Sequence, residues 1–538
     1  MTHRHCTHLL FRPCVFTMES CHCITTTCVL LLLTLHLSFC KAATPCHEQR
    51  FPGGDTFVCV CNSTYCDTVD NYEPLQSGFY TVYTSSNTTG DRLAKRTYPI
   101  SKSSNSSGSA ITIKIDKSTL YQSVIGFGGA TTDAAAINAF NLSQSSRQNL
   151  IKSYFSQMGI EYTVSRVPIG CTDLSTHYYT YDDHPGDFNL LNFSLAKEDL
   201  SYKIPFLQEA MNVSGRDIKF YGSPWSPPVW MKTNNDYHGA GQIIGNPGEK
   251  YFKTWANYFV RFLQEYGKHN VTFWGVTVEN EPMAGGIKDY HIPSCFFTPE
   301  MERDFIKLDL GPTLHANGFE DLKIMMLDDQ RFELPGWPEV VLSDDDAKAY
   351  VSGIGIHWYW DKDIPPLKLD LTHMYYPDYF MLYTESCYGG HPILGTWAQG
   401  QGYSQSIIEN MNHWVSGWVD WNMALNLQGG PTFIGNFLNA PIIVDAEKDV
   451  FYKQPTFYHL GHFSKFIVPD SHRIHHTVDS DTEVLSIAFQ LPDKHTYAVI
   501  LLNQEDQGVD VTISDPDVGY INARIPGQSI QTYLWSDN

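Results

Sequence analysis

The sequence is poor in basic residues. Its 538 residues hold 36 Lys and Arg against 58 Asp and Glu, a formal net charge of −22. No block of Lys and Arg stands out, so the basic face that nucleic acid requires is missing. Long apolar runs are scarce too. Beyond residue 42 no stretch reaches the ~18 apolar residues of a membrane-spanning helix. No G-x-G-x-x-G turn follows a strand, because Gly126-Phe-Gly-Gly129 continues into Ala-Thr-Thr-Asp. That argues against a dinucleotide-binding doubly wound sheet. No short-period repeat occurs. What is abundant is aromatic: 14% of residues, with 12 Trp and 31 Tyr. Such rings either fill a large core or pack flat against the C–H faces of sugars.

The first 42 residues read as a signal peptide. Residues 28–39 form an apolar core too short for a membrane span, with Arg4 and Arg12 as the positive flank. An uncleaved membrane anchor is the rival reading. Six of the 13 Cys lie in this leader, and four more cluster at Cys46, Cys59, Cys61 and Cys66. In a secreted chain that cluster reads as two disulfides, whose connectivity spacing leaves open; a zinc knuckle is the weaker alternative. Seven Asn-x-Ser/Thr sequons, at Asn62, Asn87, Asn105, Asn141, Asn192, Asn212 and Asn270, agree with secretion. The acidic balance suits an acidic compartment, where protonation relieves repulsion among carboxylates.

Residues 43–72 are the Cys-rich module. Short β-like runs over 73–118 return in kind after 471, and the two flanks are expected to form one β-sandwich. Between them, strands alternate with helical stretches such as 251–267, where Phe252, Trp255, Phe259 and Phe262 recur at spacings of three and four. The strand candidates are 124–130, 162–167, 219–224, 273–279, 323–328, 353–359, 379–384 and 417–421. Eight βα units point to a (β/α)8 barrel. The expected division is 119–422 with 456–470 for the barrel, 73–118 with 471–538 for the sandwich, and 43–72 completed by about 423–455 for the disulfide-containing β module.

Barrel chemistry sits at the C-terminal ends of the strands. The fourth strand ends Thr277-Val-Glu-Asn-Glu-Pro282, and alternation sends Glu279 and Glu281 to one face with Asn280 on the other. The seventh ends in Thr384-Glu385. These strands lie roughly across the mouth, so Glu281 and Glu385 can face one centre. Two carboxyls about 5–5.5 Å apart suffice for glycoside hydrolysis with retention. A rim ion pair is the plain alternative. No His/Cys/Asp cluster beside either Glu implies a metal, and no cofactor is expected.

The chain resembles the glucosylceramidases, the acid β-glucosidases of glycoside hydrolase family 30. The likeness runs through Cys59–Cys66, Gly126–Ala135, Ser165–Pro168, Ser223–Pro227, Glu279–Pro282, Leu327–Gln330, His357–Tyr359, Glu385, Asp420–Asn422 and Tyr452–Ile467. It implies Glu281 as general acid/base and Glu385 as nucleophile. It implies Asp173, Trp225, Asn280, Tyr290, Trp421 and Asn436 as substrate-binding residues. Arg166 is expected to support the carboxylates, and His357 and Tyr359 to orient Glu385. The implied disulfides are Cys46–Cys59 and Cys61–Cys66, with glycans expected at Asn62, Asn105 and Asn192. An ionised Glu385 should hold the Glu281 pKa up. Glucosylceramide in membranes is the implied substrate, with a saposin-type activator, anionic lipid and a lysosomal membrane-protein carrier as partners. The lysosomal lumen is the implied location, and secretion the alternative. Two features depart from the family pattern: Cys171 stands two residues before Asp173, and the segment from Cys387 to Gly395 is short. A family-30 glycanase and an inactive glycan-binding barrel are the competing functions.

Overall fold

A computed structural model describes residues 43–71, 75–104, 111–479 and 482–538. The leader read over residues 1–42 and the Asn105 sequon lie outside the described residues. Thr44–Asn538 form one compact unit.

Eight parallel strands close into a barrel: β1 (Gly126–Ala130), β2 (Val164–Ile169), β3 (Lys219–Pro224), β4 (Gly275–Thr277), β5 (Lys323–Gln330), β6 (Val351–His357), β7 (Phe380–Glu385) and β8 (Val415–Asp420). Nearly every residue of these strands is buried, as expected of parallel strands covered by helices. The helix Lys250–Gly267 packs Phe252, Trp255, Phe259, Phe262 and Tyr266 inward, which its three-and-four spacing encodes. The glycine run in β1 has a steric cause. A Cβ on Gly128 would stand 1.7 Å from the Val164 carbonyl oxygen, so β1 and β2 pair closely only without one. Val164, Tyr221, Met325, Leu382 and Val419 form an apolar cluster inside the barrel, with Trp274 and Phe380 packed against it. The C-terminal ends carry Arg166, Ser223, Asp328 and Thr384 instead, all fully buried. Polarity is therefore concentrated at one mouth.

Nine strands outside the barrel form one sheet that combines Phe79–Ser86, Ala94–Pro99 and Ile111–Ser123 with six strands from His472–Val478 to Ser529–Ser536. A bridge between Ser101 and Tyr520 brings its two ends together, and Ile113, Val499, Val511, Tyr533 and Trp535 fill the enclosed core. The third strand runs to Ser123, past the expected border at 118 and almost into β1. The module sheet joins Glu48–Arg50 and Phe57–Asn62 to Val450–Lys453, Ile442–Asp445 and Ala424–Asn426. Disulfides link Cys46 to Cys59 and Cys61 to Cys66. Asn62 is half-buried, its amide oxygen accepting from Thr64 and Tyr65 N–H, whereas Asn192 is exposed and donates to Asp187. Among the described residues no helix is long and apolar enough to cross a membrane.

The loop after β2, which carries Asp173, is tied down by a buried ion cluster. Lys203 Nζ lies 3.2 Å from Asp133 and 2.9 Å from Asp199. Asp133 also accepts from Ser175 and Tyr179, and Asp199 from Tyr181 and Tyr266. All three ionic side chains are at most 1% exposed. Removing the cation leaves two carboxylates uncompensated in the interior, so Lys203→Met should cost about 3–5 kcal/mol in urea unfolding. A loss below about 1 kcal/mol would show that the cluster does not support the fold.

Candidate active site

A cavity of about 240 Å³ opens at the polar mouth of the barrel. That is smaller than the roughly 300–1,000 Å³ of sites for drug-sized ligands, and suits one small ring. It brings together Glu281, Glu385 and all six residues expected to bind substrate: Asp173, Trp225, Asn280, Tyr290, Trp421 and Asn436. Trp225 and Trp421 stack at 5.0 Å between centroids and form an aromatic wall. Asn436 Nδ2 donates to Asp173 at 2.8 Å. Burial, reinforced by the charge of Glu385, pushes the Asp173 pKa up to about 7. The short segment after Cys387 closes against the stretch bearing Asn436, through Gly390 N–H to the Phe437 carbonyl and stacking of His391 on Phe437.

At the centre lies Arg166, fully buried on β2. Its guanidinium reaches Glu385 with Nη1, and Asp328 (2.6 Å) and Asn280 (3.0 Å) with Nη2, while Nε donates to Ser223 (3.0 Å). It also lies 4.7 Å from the Trp225 ring centroid. The other Glu385 oxygen accepts from Tyr359 at 2.6 Å. Glu281 accepts from Tyr290 (2.9 Å) and Gln330 (2.9 Å) and faces His357 Nδ1 at 3.1 Å. One oxygen of each Glu and a nitrogen of His357 all lie within 4.8 Å of one another.

Three expectations need correction. The His357 ring makes no hydrogen bond to the Glu385 carboxylate: its two nitrogens face Glu281 and Asp328, each at 3.1 Å. The alternation read into the fourth strand also fails. The ladder stops at Thr277, and Glu281 takes φ 44°, which swings its side chain into the cavity beside Asn280. Glu279 is left buried, both carboxylate oxygens without a hydrogen-bond partner. Its pKa stands well above the usual carboxylate range through burial. Third, the Glu281 pKa is lowered rather than held up. Burial raises it, but the hydrogen bond and charge of His357, with Tyr290 and Arg166, outweigh that. Burial raises Glu385, against the pull of His357 and Arg166. Desolvation disfavours a charged His357, yet Glu385, Asp328 and Glu281 raise its pKa to about 10. Glu281 therefore gives up its proton more readily than burial alone would allow, with His357 Nδ1 facing it at 3.1 Å.

Asp328, Gln330 and Thr384 are site residues that sequence reasoning passed over. The Leu327–Gln330 motif was visible, but nothing in it marks which acid turns inward. Asp328 is the extra residue of a bulge in β5 and accepts from Arg166, His357 and Thr384. Burial opposes its charge, but Arg166 and His357 hold its pKa well below the usual range. Glu281, His357 and Glu385 have the chemistry of metal ligands, but Arg166 and His357 already supply the positive charge a divalent ion would bring.

Residues 124–467 match the model of the glycosyl hydrolase family 30 TIM-barrel domain, and 470–533 that of the family's beta sandwich domain. The chain is 46% identical to lysosomal acid glucosylceramidase of Mus musculus over 93% of this chain and 97% of that one. It is 43% identical to putative glucosylceramidase 4 of Caenorhabditis elegans, over 88% and 92%. Among solved structures, SrfJ from Salmonella typhimurium superimposes with a TM-score of 0.79 at 27% identity, over 85% of this chain and 99% of that one.

Because His357 lowers the pKa of both glutamates, His357→Gln should let both rise. Both limbs of the pH–kcat/KM profile on an aryl β-glucoside should then move to higher pH. A profile that stays in place would mean that His357 does not set the protonation of the pair.

Proposed function

The chain belongs to glycosyl hydrolase family 30, and from that premise we propose that it hydrolyses glucosylceramide to glucose and ceramide with retention at the anomeric carbon. The carrying observation is the separation of the two carboxylates, whose nearest oxygens lie within 4.8 Å. That is the short spacing of a double displacement, with no room for the intervening water of an inverting enzyme.

In this reading Glu385 attacks the anomeric carbon. Arg166 and Tyr359 each hold one of its oxygens, so the carboxylate meets the sugar in a fixed orientation. Glu281 gives a proton to the departing oxygen. Once the sugar is bonded to Glu385, that carboxylate has lost its charge. Glu281 then takes a proton from water, which attacks and releases glucose. Asp173, Trp421 and Asn436 bind the ring hydroxyls and face, and Asn280 bonds the 2-hydroxyl. Asn280 accepts from Arg166 at 3.0 Å, which leaves its amide N–H groups for the sugar.

The rim supports a lipid aglycone. Met283, Ile287, Phe332, Trp360, Ile393 and Leu427 are exposed apolar residues on loops that follow barrel strands four to eight. Exposed apolar side chains on the loops at that end of the barrel fit an amphiphile with its sugar in the cavity and its tails outside. A saposin-type activator, anionic lipid and delivery by a membrane-protein carrier to the lysosomal lumen complete the reading. The lysosomal location rests on the likeness to the mouse enzyme, and the activator, anionic lipid and carrier on the family resemblance of the sequence.

Glu385→Gln should reduce turnover of every glucoside to background, and appreciable residual activity would remove Glu385 from the nucleophile role. Glu281→Gln should lower kcat/KM for glucosylceramide by about 10²–10⁴-fold. It should spare the first step on aryl glucosides, whose leaving groups need little protonation. Equal losses on both substrates would count against the acid/base assignment. Faster turnover of β-1,6-glucan or xylan than of glucosylceramide would favour a glycanase.

A further inference from the structure

Glu302 lies outside the cavity, on the helix Pro299–Phe305 that packs on the outer side of the barrel. It is 2% exposed. Nothing in the proposed reaction uses it, and a carboxyl in such a place is costly unless it serves a purpose. Its two oxygens accept from the Leu327 backbone N–H, at 3.0 and 3.4 Å, and Oε2 also accepts from Trp337 Nε1.

Leu327 is no ordinary strand residue. It has φ 73° and Asp328 has φ 57°, two consecutive non-glycine residues in the left-handed region. Such backbone costs on the order of 1–3 kcal/mol per residue and persists only where surrounding contacts impose it. At this point β5 carries the bulge, and the Leu327 N–H is turned out of the ladder towards Glu302. The bulged Asp328 holds Arg166 and His357 with its side chain, and its carbonyl accepts the Glu281 N–H at 3.0 Å. Three hydrogen bonds therefore link Glu302 to Glu385, and two link it to Glu281. One path runs through the bulge and Arg166 to Glu385, and the other through the bulge to Glu281.

We propose that Glu302 is a positioning residue for the glycosidase reaction: its buried carboxyl holds the bulge of β5 in the strained conformation that aims Asp328 at Arg166 and His357. The inference rests on the roles proposed for Glu281 and Glu385. Burial pushes the Glu302 pKa up to about 8, so in acid it presents a neutral carboxyl, which the amide of glutamine resembles. A glutamine oxygen at the Oε1 position keeps the 3.0 Å bond from Leu327 N–H, the one that fixes the bulge, and gives up the bond from Trp337. Leucine keeps most of the volume and supplies no acceptor.

The test compares Glu302→Gln, Glu302→Leu and Glu302→Asp with the wild type on an aryl β-glucoside, with circular dichroism to confirm folding. Glu302→Gln should keep kcat within about 3-fold. Glu302→Leu should lose kcat by roughly 10- to 100-fold, the scale of a misplacement near 1 Å, with KM within about 3-fold because the sugar-binding wall is intact. Glu302→Asp withdraws the acceptor from Leu327 while keeping a carboxyl, and should lose kcat in the same pattern even if the leucine variant does not fold. A folded Glu302→Leu or Glu302→Asp with wild-type kcat would overturn the proposal, as would a Glu302→Gln variant that loses as much as the leucine. A general packing defect would raise KM or lower the folded fraction instead. Failure of the proposed reaction itself would show in the wild type, as inertness toward the glucoside, before any variant is compared.

Discussion

The site is organised by one buried cation. Arg166 takes no part in bond making, yet it joins the seventh strand to the fourth and fifth through Glu385, Asn280 and Asp328. Desolvating a guanidinium is expensive, and only the surrounding carboxylates and hydroxyls make the position tolerable. The dependence runs both ways. Without Arg166, Asp328 and Glu385 would lose their permanent counter-charge, and the pKa of each would rise. Its planar fork also explains why lysine would not serve, since an ammonium with three donors cannot meet four acceptors in fixed directions.

Around that cation the charges nearly balance. Arg166 and a protonated His357 face Asp328, Glu281 and Glu385. With all three carboxylates ionised the cluster carries one surplus negative charge, close to where positive charge develops on the sugar during bond cleavage. In a site of low polarity such a charge acts strongly. His357 faces Glu281 and Asp328 at once, so how firmly Glu281 holds a proton depends on both neighbours. This replaces the simpler picture in which one glutamate keeps the other protonated. It makes the balance of acid and base a property of the whole cluster, dependent on how Asp328 is held.

Much of this was legible in the sequence, in uneven ways. The barrel was visible because buried parallel strands and amphipathic helices leave different periodicities, and the bounds of β3 coincide with the run Lys219–Pro224. Glu281 and Glu385 were visible because an acid at the exit of an apolar strand is conspicuous. What stayed hidden depends on backbone shape. The left-handed turn at Glu281 sends Asn280 and Glu281 into one cavity and leaves Glu279 outside it, against the period-two pattern. The bulge at Asp328 makes that residue, rather than Asp329, the partner of Arg166. His357 was assigned to the wrong glutamate because adjacency along a strand does not reveal which neighbour a ring nitrogen meets. Glu302 carries no sequence signal, since its partner is a main-chain N–H.

The central claim is that Glu385 forms a covalent bond with the sugar's anomeric carbon. It is tested most directly by reacting the protein with a cyclitol-epoxide inactivator, weighing the intact product and mapping the modified peptide. The account predicts a single adduct on Glu385. An adduct on Glu281 or elsewhere, or no adduct from an enzyme that still hydrolyses glucosides, would contradict it.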